Sequence, residues 1–446
     1  MKKIKKGTLF FYGIPAYGHT LSNLYLAGRL AEAGFRVVYY SAEPFREVIR
    51  ENGCEYRAYP MDWNTLDLSD GERILKLYRL ILQYTWKMLP VLLSQVKEDR
   101  PCAVIFDSLA LWGRAIGQLC SLPSFAFYSI AAIDWTWNLP RRRRDDRTRA
   151  DFCYLPVSPW GKGLGAYAPG FSAGFLRYAG EVPQAVKYMR RLKERYGLKD
   201  LGLLPVLMNR GDYNLCGYSR LFQPGGCGFG AEYKFVGPMS VHRKVLERND
   251  FSCSDLDSSK PLIYISLGTI FNKNEKFLQV VIDQFGKRSG EENVQVVLVW
   301  DGDDVFPENF VVRPFVNQNE IMKHAALFLT AGGMNSIHEA LYFGVPCLLW
   351  PQQGEQRLNA LQFERLGFGS ILKNPDRLRQ EALECMELKK CWDEKKRRRM
   401  TAVSMEKVLA LFEVCGAETG GWKRKYVKGN SCQGRKYVKI NSCRRK

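Results

Sequence analysis

A chain of 446 residues exceeds what one hydrophobic core ordinarily fills, so two domains are expected. Its 46% hydrophobic and 13% aromatic content excludes a long disordered or fibrous chain. The net charge of +20 raises nucleic acid or an acidic membrane as partners, but it is concentrated. Residues 2–6, 141–149, 387–399 and 421–446 hold 27 of the 66 Lys and Arg and 5 of the 46 Asp and Glu. The rest of the chain is therefore about two charges negative, which argues against a protein built around a nucleic-acid groove.

The 13 cysteines are odd in number and scattered, with no C-x-x-C, so reduced thiols and a cytoplasmic location are expected. The four histidines, His19, His242, His324 and His338, show no metal-ligand spacing. The start (MKKIKKGTLFFYGIPAYG) superficially resembles a signal peptide. Its apolar run is short and ends in Gly13, Pro15, Gly18 and His19, so it reads as a first buried strand. No uncharged apolar stretch of 18 residues occurs; the most apolar long segment, 77–96, contains Arg79 and Lys87.

In chain order, Leu9–Tyr12 reads as a strand and Thr20–Ala33 as a helix, with Leu21, Leu24, Leu26 and Leu30 at helical spacing and Gly34 at its end. Val37–Tyr40 is a strand, Arg46–Glu51 a helix and Tyr56–Tyr59 a strand. A helical region over 71–97 precedes the strands Ala103–Phe106 and Ser124–Tyr128, with a helix at about 109–120 between them. This alternation predicts a parallel sheet covered on both faces. Residues 131–235, rich in Trp, Tyr, Phe, Pro and Gly, read as loops and helices shaping a pocket; the Arg run at 141–144 reads as a solvated loop.

A second series has strands Leu262–Ser266, Val294–Trp300, Leu327–Thr330 and Val345–Trp350, with helices near 273–286, 335–343, 355–367 and 376–389. The expected organisation is an N-terminal domain over 1–238, a charged, Ser-rich linker over 239–260, a C-terminal domain over 261–420 and a basic tail over 421–446. Within the tail, residues 424–432 recur as 435–443 with eight of nine identical; it reads as disordered. The fold class is α/β: two Rossmann-like parallel-sheet domains facing across a cleft, where ligands bind beyond the carboxyl ends of the strands.

The most informative segment is AALFLTAGGMNSIHEALYFGVPCLLWPQQGEQRLNA, residues 325–360. A strand enters Gly332-Gly333 and a helix begins near Asn335-Ser336. Glycines admit a ligand to the backbone, and a helix start supplies free N–H groups and the positive end of the dipole, which suits a diphosphate. The following loop carries Gln352, Gln353, Gly354, Glu355 and Gln356, whose polar groups suit a hydroxyl-rich ligand.

This segment resembles the donor-sugar signature of the UDP-glycosyltransferase superfamily (glycosyltransferase family 1, GT-B fold), in particular its bacterial macrolide-glycosyltransferase branch. The pattern is matched in order by Thr330, Gly332, Gly333, Asn335, Ser336, Glu339, Gly344, Pro346, Pro351, Glu355, Gln356 and Asn359. Phe235-Val236-Gly237-Pro238, Ser266-Leu267-Gly268-Thr269, Val316-x-Gln318 and Pro15-x-x-Gly18-His19 also fit, so the resemblance covers roughly residues 7–390.

The resemblance implies His19 as the base that deprotonates the acceptor hydroxyl and Asp107 as the carboxylate that orients it. It implies Ser266, Thr269, Gly332, Gly333, Asn335 and Ser336 at the donor phosphates, Gln318 near the nucleobase, Glu339 on the ribose, and Glu355 and Gln356 on the transferred sugar. Trp135 and Trp137, in the aromatic stretch, are the expected acceptor wall. The implied reaction is an inverting, metal-independent hexose transfer from a nucleotide diphosphate sugar, expected to be a UDP-sugar, to a small hydrophobic acceptor. No cofactor is implied, since the nucleotide sugar is a co-substrate.

Two departures stand out: Ala331 replaces the family's His before the glycine pair, and Asn317 replaces the usual Pro before Gln318. Alternatives are a membrane-surface glycolipid synthase touching acidic lipid through the basic patches, and a non-catalytic nucleotide-sugar-binding or activator paralogue.

Overall fold

The computed structural model describes residues 6–61, 63, 74–132, 180–224, 226–242, 256–268, 275–286, 294–302, 304–352 and 354–417. The chain forms two compact units. The first comprises the described residues up to Val236 together with Ser404–Ala417, and the second runs from Gly237 to Val403.

The first unit holds a seven-stranded, all-parallel sheet in the order β3-β2-β1-β4-β5-β6-β7. The strands are β1 (Thr8–Tyr12), β2 (Arg36–Ser41), β3 (Glu55–Ala58), β4 (Ala103–Asp107), β5 (Ser124–Tyr128), β6 (Tyr213–Cys216) and β7 (Tyr233–Phe235). Leu9 through Tyr12 and Ala103 through Asp107 are fully buried, as expected of central strands covered on both faces. The order reverses between β1 and β4, so the loops leaving these two strands open at a topological switch point. The long helix Ile74–Asp99 packs against the helix Glu181–Tyr196, with an Arg79–Glu181 ion pair between them.

The second unit repeats the plan with six parallel strands, ordered β10-β9-β8-β11-β12-β13. These are β8 (Leu262–Ser266), β9 (Gln295–Val299), β10 (Phe310–Arg313), β11 (Ala325–Thr330), β12 (Cys347–Leu349) and β13 (Gly369–Ile371). Ile263, Ile265, Leu298, Leu327 and Leu329 meet Phe277 and Val281 of the helix Glu275–Phe285 in one core. The register Thr330↔Ser266 sets these two polar residues side by side where β8 and β11 end.

The strands missed by periodicity are β6, β7, β10 and β13, three or four residues each and lying towards sheet edges, with mixed polarity (YNLC, YKF, FVVR, GSI). The expected strand Val345–Trp350 contracts to Cys347–Leu349, consistent with Pro346 having no N–H to give the ladder.

The domain limits also differ from the expected 239–260 linker and 261–420 domain. Met239–His242 already belongs to the second unit as a short 3-10 turn against the helix Met334–Phe343, and the rings of His242 and Tyr342 meet edge-on at 5.5 Å. At the other end the chain re-enters the first unit at Ser404, whose N–H donates to Val236 O at 2.9 Å. The helix Met405–Ala417 packs there because Phe412 stacks on Phe125 of β5 at 4.1 Å, and Glu413 pairs with Lys6 at 3.0 Å. The basic tail and most of the expected linker lie outside the described residues.

Cys54, Cys102, Cys120, Cys216, Cys347, Cys385 and Cys391 carry free thiols. No helix among the described residues is long and apolar enough to cross a membrane. Phe412 is fully buried, so Phe412→Ala is expected to remove about 3–5 kcal/mol of stability. Urea unfolding of this variant beside the parent chain measures the loss.

Candidate active site

In the first unit, β1 ends at Tyr12 and the loop Gly13–Ala16 leads into the helix Tyr17–Glu32, whose first turn carries His19. The loop is held from below. Tyr59 donates its hydroxyl to Gly13 O at 2.7 Å and accepts from Trp112 Nε1 at 3.1 Å. A Cβ at residue 13 would lie 2.7 Å from the Tyr39 hydroxyl, so only glycine lets the loop settle this low.

His19 Nδ1 then lies 2.7 Å from Asp107 Oδ2. Asp107 is fully buried, and its other oxygen accepts from Leu109 N–H at 2.9 Å. An ionised carboxylate only accepts, so the Nδ1–H donates to it and Nε2 is the unprotonated nitrogen of the neutral ring. The His19 side chain is 17% exposed. A second oxygen, Ser129 Oγ, lies 3.1 Å from the same Nδ1. Burial and the nearby Asp107 charge push the Tyr39 and Tyr59 phenols well up, so both stay neutral.

In the second unit, β11 runs through Ala331-Gly332-Gly333 into the helix Met334–Phe343. Gly332 has φ +86°, and a Cβ there would meet Gln356 O at 3.3 Å. No side chain caps the helix from its N-cap, Gly333, and a Cβ on Gly333 would meet nothing within 4 Å. Asn335 and Ser336 lie in the helix's first turn, half-buried.

Asn359 Nδ2 donates to Gly332 O at 3.2 Å and lies 3.4 Å from Glu355 Oε1, tying the helix Gly354–Arg365 to the glycine turn. Gln356 Oε1 accepts from Gln352 N–H at 2.8 Å. Gln318 donates its amide to the fully buried Glu339 at 2.6 Å and accepts from the Tyr264 hydroxyl at 3.3 Å. Ser266 Oγ lies 3.4 Å from Gly268 N–H.

Ala331, at the position of the family's His, is 2% exposed and packs in the core with Leu267, Leu329 and Trp300. It offers no polar group. His338 is buried as well and bonds Met334 O through Nδ1 at 2.8 Å, a packing position inside its own helix.

The structure thus brings His19 and Asp107 together in one unit. In the other it joins Gln318 to Glu339, and Glu355, Gln356 and the glycine turn to one another. Thr269, Trp135, Trp137 and the Arg run at 141–144 lie outside the described residues. Ser129 and Tyr264 were not singled out by the sequence, whereas Asn359 was matched in the donor signature without an assigned role. Ser129 had one usable signal: it directly follows a strand predicted next to the one ending at Asp107. Among the described residues no group of three or more His, Cys, Asp or Glu is placed to hold a metal.

Residues 258–410 match the model of the glycosyltransferase family 28 C-terminal domain. The chain is 27% identical to the uncharacterized UDP-glucosyltransferase YojK of Bacillus subtilis (strain 168), over 82% of this chain and 84% of that protein. It is 26% identical to the demethyllactenocin mycarosyltransferase of Streptomyces fradiae, over 81% and 75% respectively. The crystal structure of the glycotransferase of kitacinnamycin superposes with a TM-score of 0.68 at 20% identity, covering 91% of this chain and 98% of that one. The chain is a glycosyltransferase. Its two units are the two parallel-sheet domains of the GT-B fold.

The glycosyltransferase carries one further titrating group in its interior. Desolvation pushes His338 down to about 4. The unfolded chain, with an ordinary value of about 6.5, then binds a proton that the folded enzyme refuses. Stability is expected to hold above about pH 6.5 and to fall by about 3 kcal/mol as the pH drops to 4. Denaturant titrations across this range, with His338→Gln showing a flatter acid limb, check the assignment.

Proposed function

We propose that this glycosyltransferase moves a hexose from a UDP-sugar to a hydroxyl of a small hydrophobic acceptor with inversion, and without a metal or cofactor. The observation that carries the reading is the 2.7 Å pairing of His19 Nδ1 with the buried Asp107, which leaves Nε2 as a base. His19 takes the acceptor proton while the acceptor oxygen forms its bond to the anomeric carbon. The bond from that carbon to the diphosphate breaks on the opposite face, which inverts the configuration. Asp107 stabilises the imidazolium as it forms.

The second unit holds the donor. The N–H groups of the glycine turn and the start of the helix Met334–Phe343 face the leaving diphosphate, with Asn335, Ser336 and Ser266 beside it; the resemblance alone adds Thr269. This fixed positive end supplies the electrostatic stabilisation that a metal supplies elsewhere. Glu339, oriented by Gln318, takes ribose hydroxyls, and Gln318 lies at the nucleobase side. Glu355 and Gln356 take the sugar. Trp135 and Trp137 are assigned to the acceptor from the sequence alone. UDP as the nucleotide follows the description of the Bacillus subtilis relative, and a natural-product acceptor follows that of the Streptomyces fradiae relative.

Calorimetry with a panel of UDP- and dTDP-sugars, followed by mass spectrometry with pooled hydrophobic acceptors, tests the reading. His19→Ala is expected to slow transfer by about 10²–10⁴-fold while donor binding is kept. Unchanged transfer in that variant would refute the base assignment.

A second feature supports work at an acidic membrane surface. In the basic segment near the end of the second unit, Lys396 and Arg397 turn inward. Lys396 donates to Leu366 O, and Arg397 donates to Leu341 O and Tyr342 O at 2.8 and 2.9 Å. Lys389, Lys390, Lys395, Arg398 and Arg399 remain exposed. Flotation with phosphatidylserine vesicles is expected to carry the enzyme at low salt and to release it at high salt. No flotation at low salt would remove this reading.

A further inference from the structure

We propose that Ser129 is a positioning residue for His19, fixing the plane and tautomer of the imidazole through a second contact at Nδ1. The inference rests on the assignment of His19 as the base. β4 and β5 are parallel neighbours with Asp107 opposite Phe127, so their ends deliver a carboxylate and a hydroxyl to one place. Asp107 Oδ2 and Ser129 Oγ lie 2.7 and 3.1 Å from the same nitrogen, and Ser129 is 6% exposed. A single acceptor fixes where Nδ1 sits but leaves the ring able to swing about the line joining the two atoms. A second acceptor off that line removes the swing.

The position of Ser129 is itself fixed from both sides. Before it, Tyr128 O accepts from Gly217 N–H at 2.9 Å, and the Tyr128 hydroxyl donates to Asn209 O at 2.9 Å. After it, the buried Gln223 bonds both backbone groups of Ala132, accepting from its N–H at 3.1 Å and donating to its carbonyl at 3.0 Å. The Tyr218 hydroxyl accepts from the same N–H at 2.8 Å. A surface serine making a chance contact would not need its chain held by a buried glutamine and tyrosine.

The chemistry gives this contact a role beyond packing. When Nε2 gains the acceptor proton the ring becomes a cation, its Nδ1–H becomes a stronger donor, and both oxygens hold it more tightly. The contact therefore favours the protonated ring that forms during transfer. Among the described residues, the titratable groups around this pair include Asp107 from β4, Tyr39 from β2 and Tyr59 beyond β3; both tyrosines stay neutral, so of these three the carboxylate carries the charge.

The test uses the full chain labelled with ¹⁵N-histidine. It has four histidines, and His19→Gln identifies the signals of His19. In Ser129→Ala and in Ser129→Cys, which keeps the size but accepts weakly, the His19 titration is expected to move down by about half to one pH unit. Its nitrogen shifts are expected to report a less uniform tautomer. kcat is expected to fall about 3- to 10-fold with donor KM unchanged, and Ser129→Thr, which keeps the hydroxyl, is expected to restore both. Titrations of the Ala and Cys variants that coincide with that of the parent chain would overturn the proposal, whatever happens to kcat. A parent chain that transfers no sugar would sink the proposed reaction instead, while the titration still decides the contact.

Discussion

The carboxylate of Asp107 constrains everything around it. A carboxylate with no exposure is tolerated as a charge only where donors meet it. Here one oxygen takes the Leu109 N–H and the other takes the Nδ1–H of His19. For the second bond to form, the loop after β1 must pass directly over the end of β4. The sheet order makes these strands neighbours, and the Tyr59 hydroxyl and the absent side chain at Gly13 let the loop lie close enough. A polar pair at a switch point thus explains several aromatic residues that would otherwise read only as core.

The second unit solves the converse problem with the same architecture. Its strand ends present donors rather than a carboxylate. The positive φ of Gly332 turns the chain so that the helix from Met334 starts immediately, with a side-chain-free N-cap. Asn359 bonds the carbonyl of Gly332, which holds the turn from the back. The buried Glu339 is kept in place by the Gln318 amide, itself bonded to Tyr264 on β8. One sheet supports a His–Asp pair and the other a glycine turn at a helix start, although their strand orders follow the same rule.

How much of this was readable in the sequence follows from where each signal resides. The central strands are unbroken apolar runs because both faces are covered, so their existence and order along the chain were plain. His19, Asp107 and the glycine turn follow strand ends, and their spacing matched a family pattern. Ser129 and Tyr264 were not legible as site residues in the same way. Each acts through a partner far away in sequence, and nothing local distinguishes such a residue from any other strand or helix position. The strands β6, β7, β10 and β13 were hidden by their shortness and mixed polarity. The helix Met405–Ala417 was not anticipated from the sequence; Phe412 meeting Phe125 and Glu413 pairing with Lys6 place it on the first core.

That last helix alters how the molecule must be assembled. Because Ser404–Ala417 completes the first unit, the second unit is an insertion within it, entered after Val236 and left before Ser404. Translation makes Gly237–Val403 in full before it makes Phe412, the residue that covers β5. The second unit therefore has all of its own residues before the first has Phe412, and until then the Phe125 side of the first sheet is uncovered. The unit whose strands are synthesised first thus needs residues made after the whole of the second unit to complete its core.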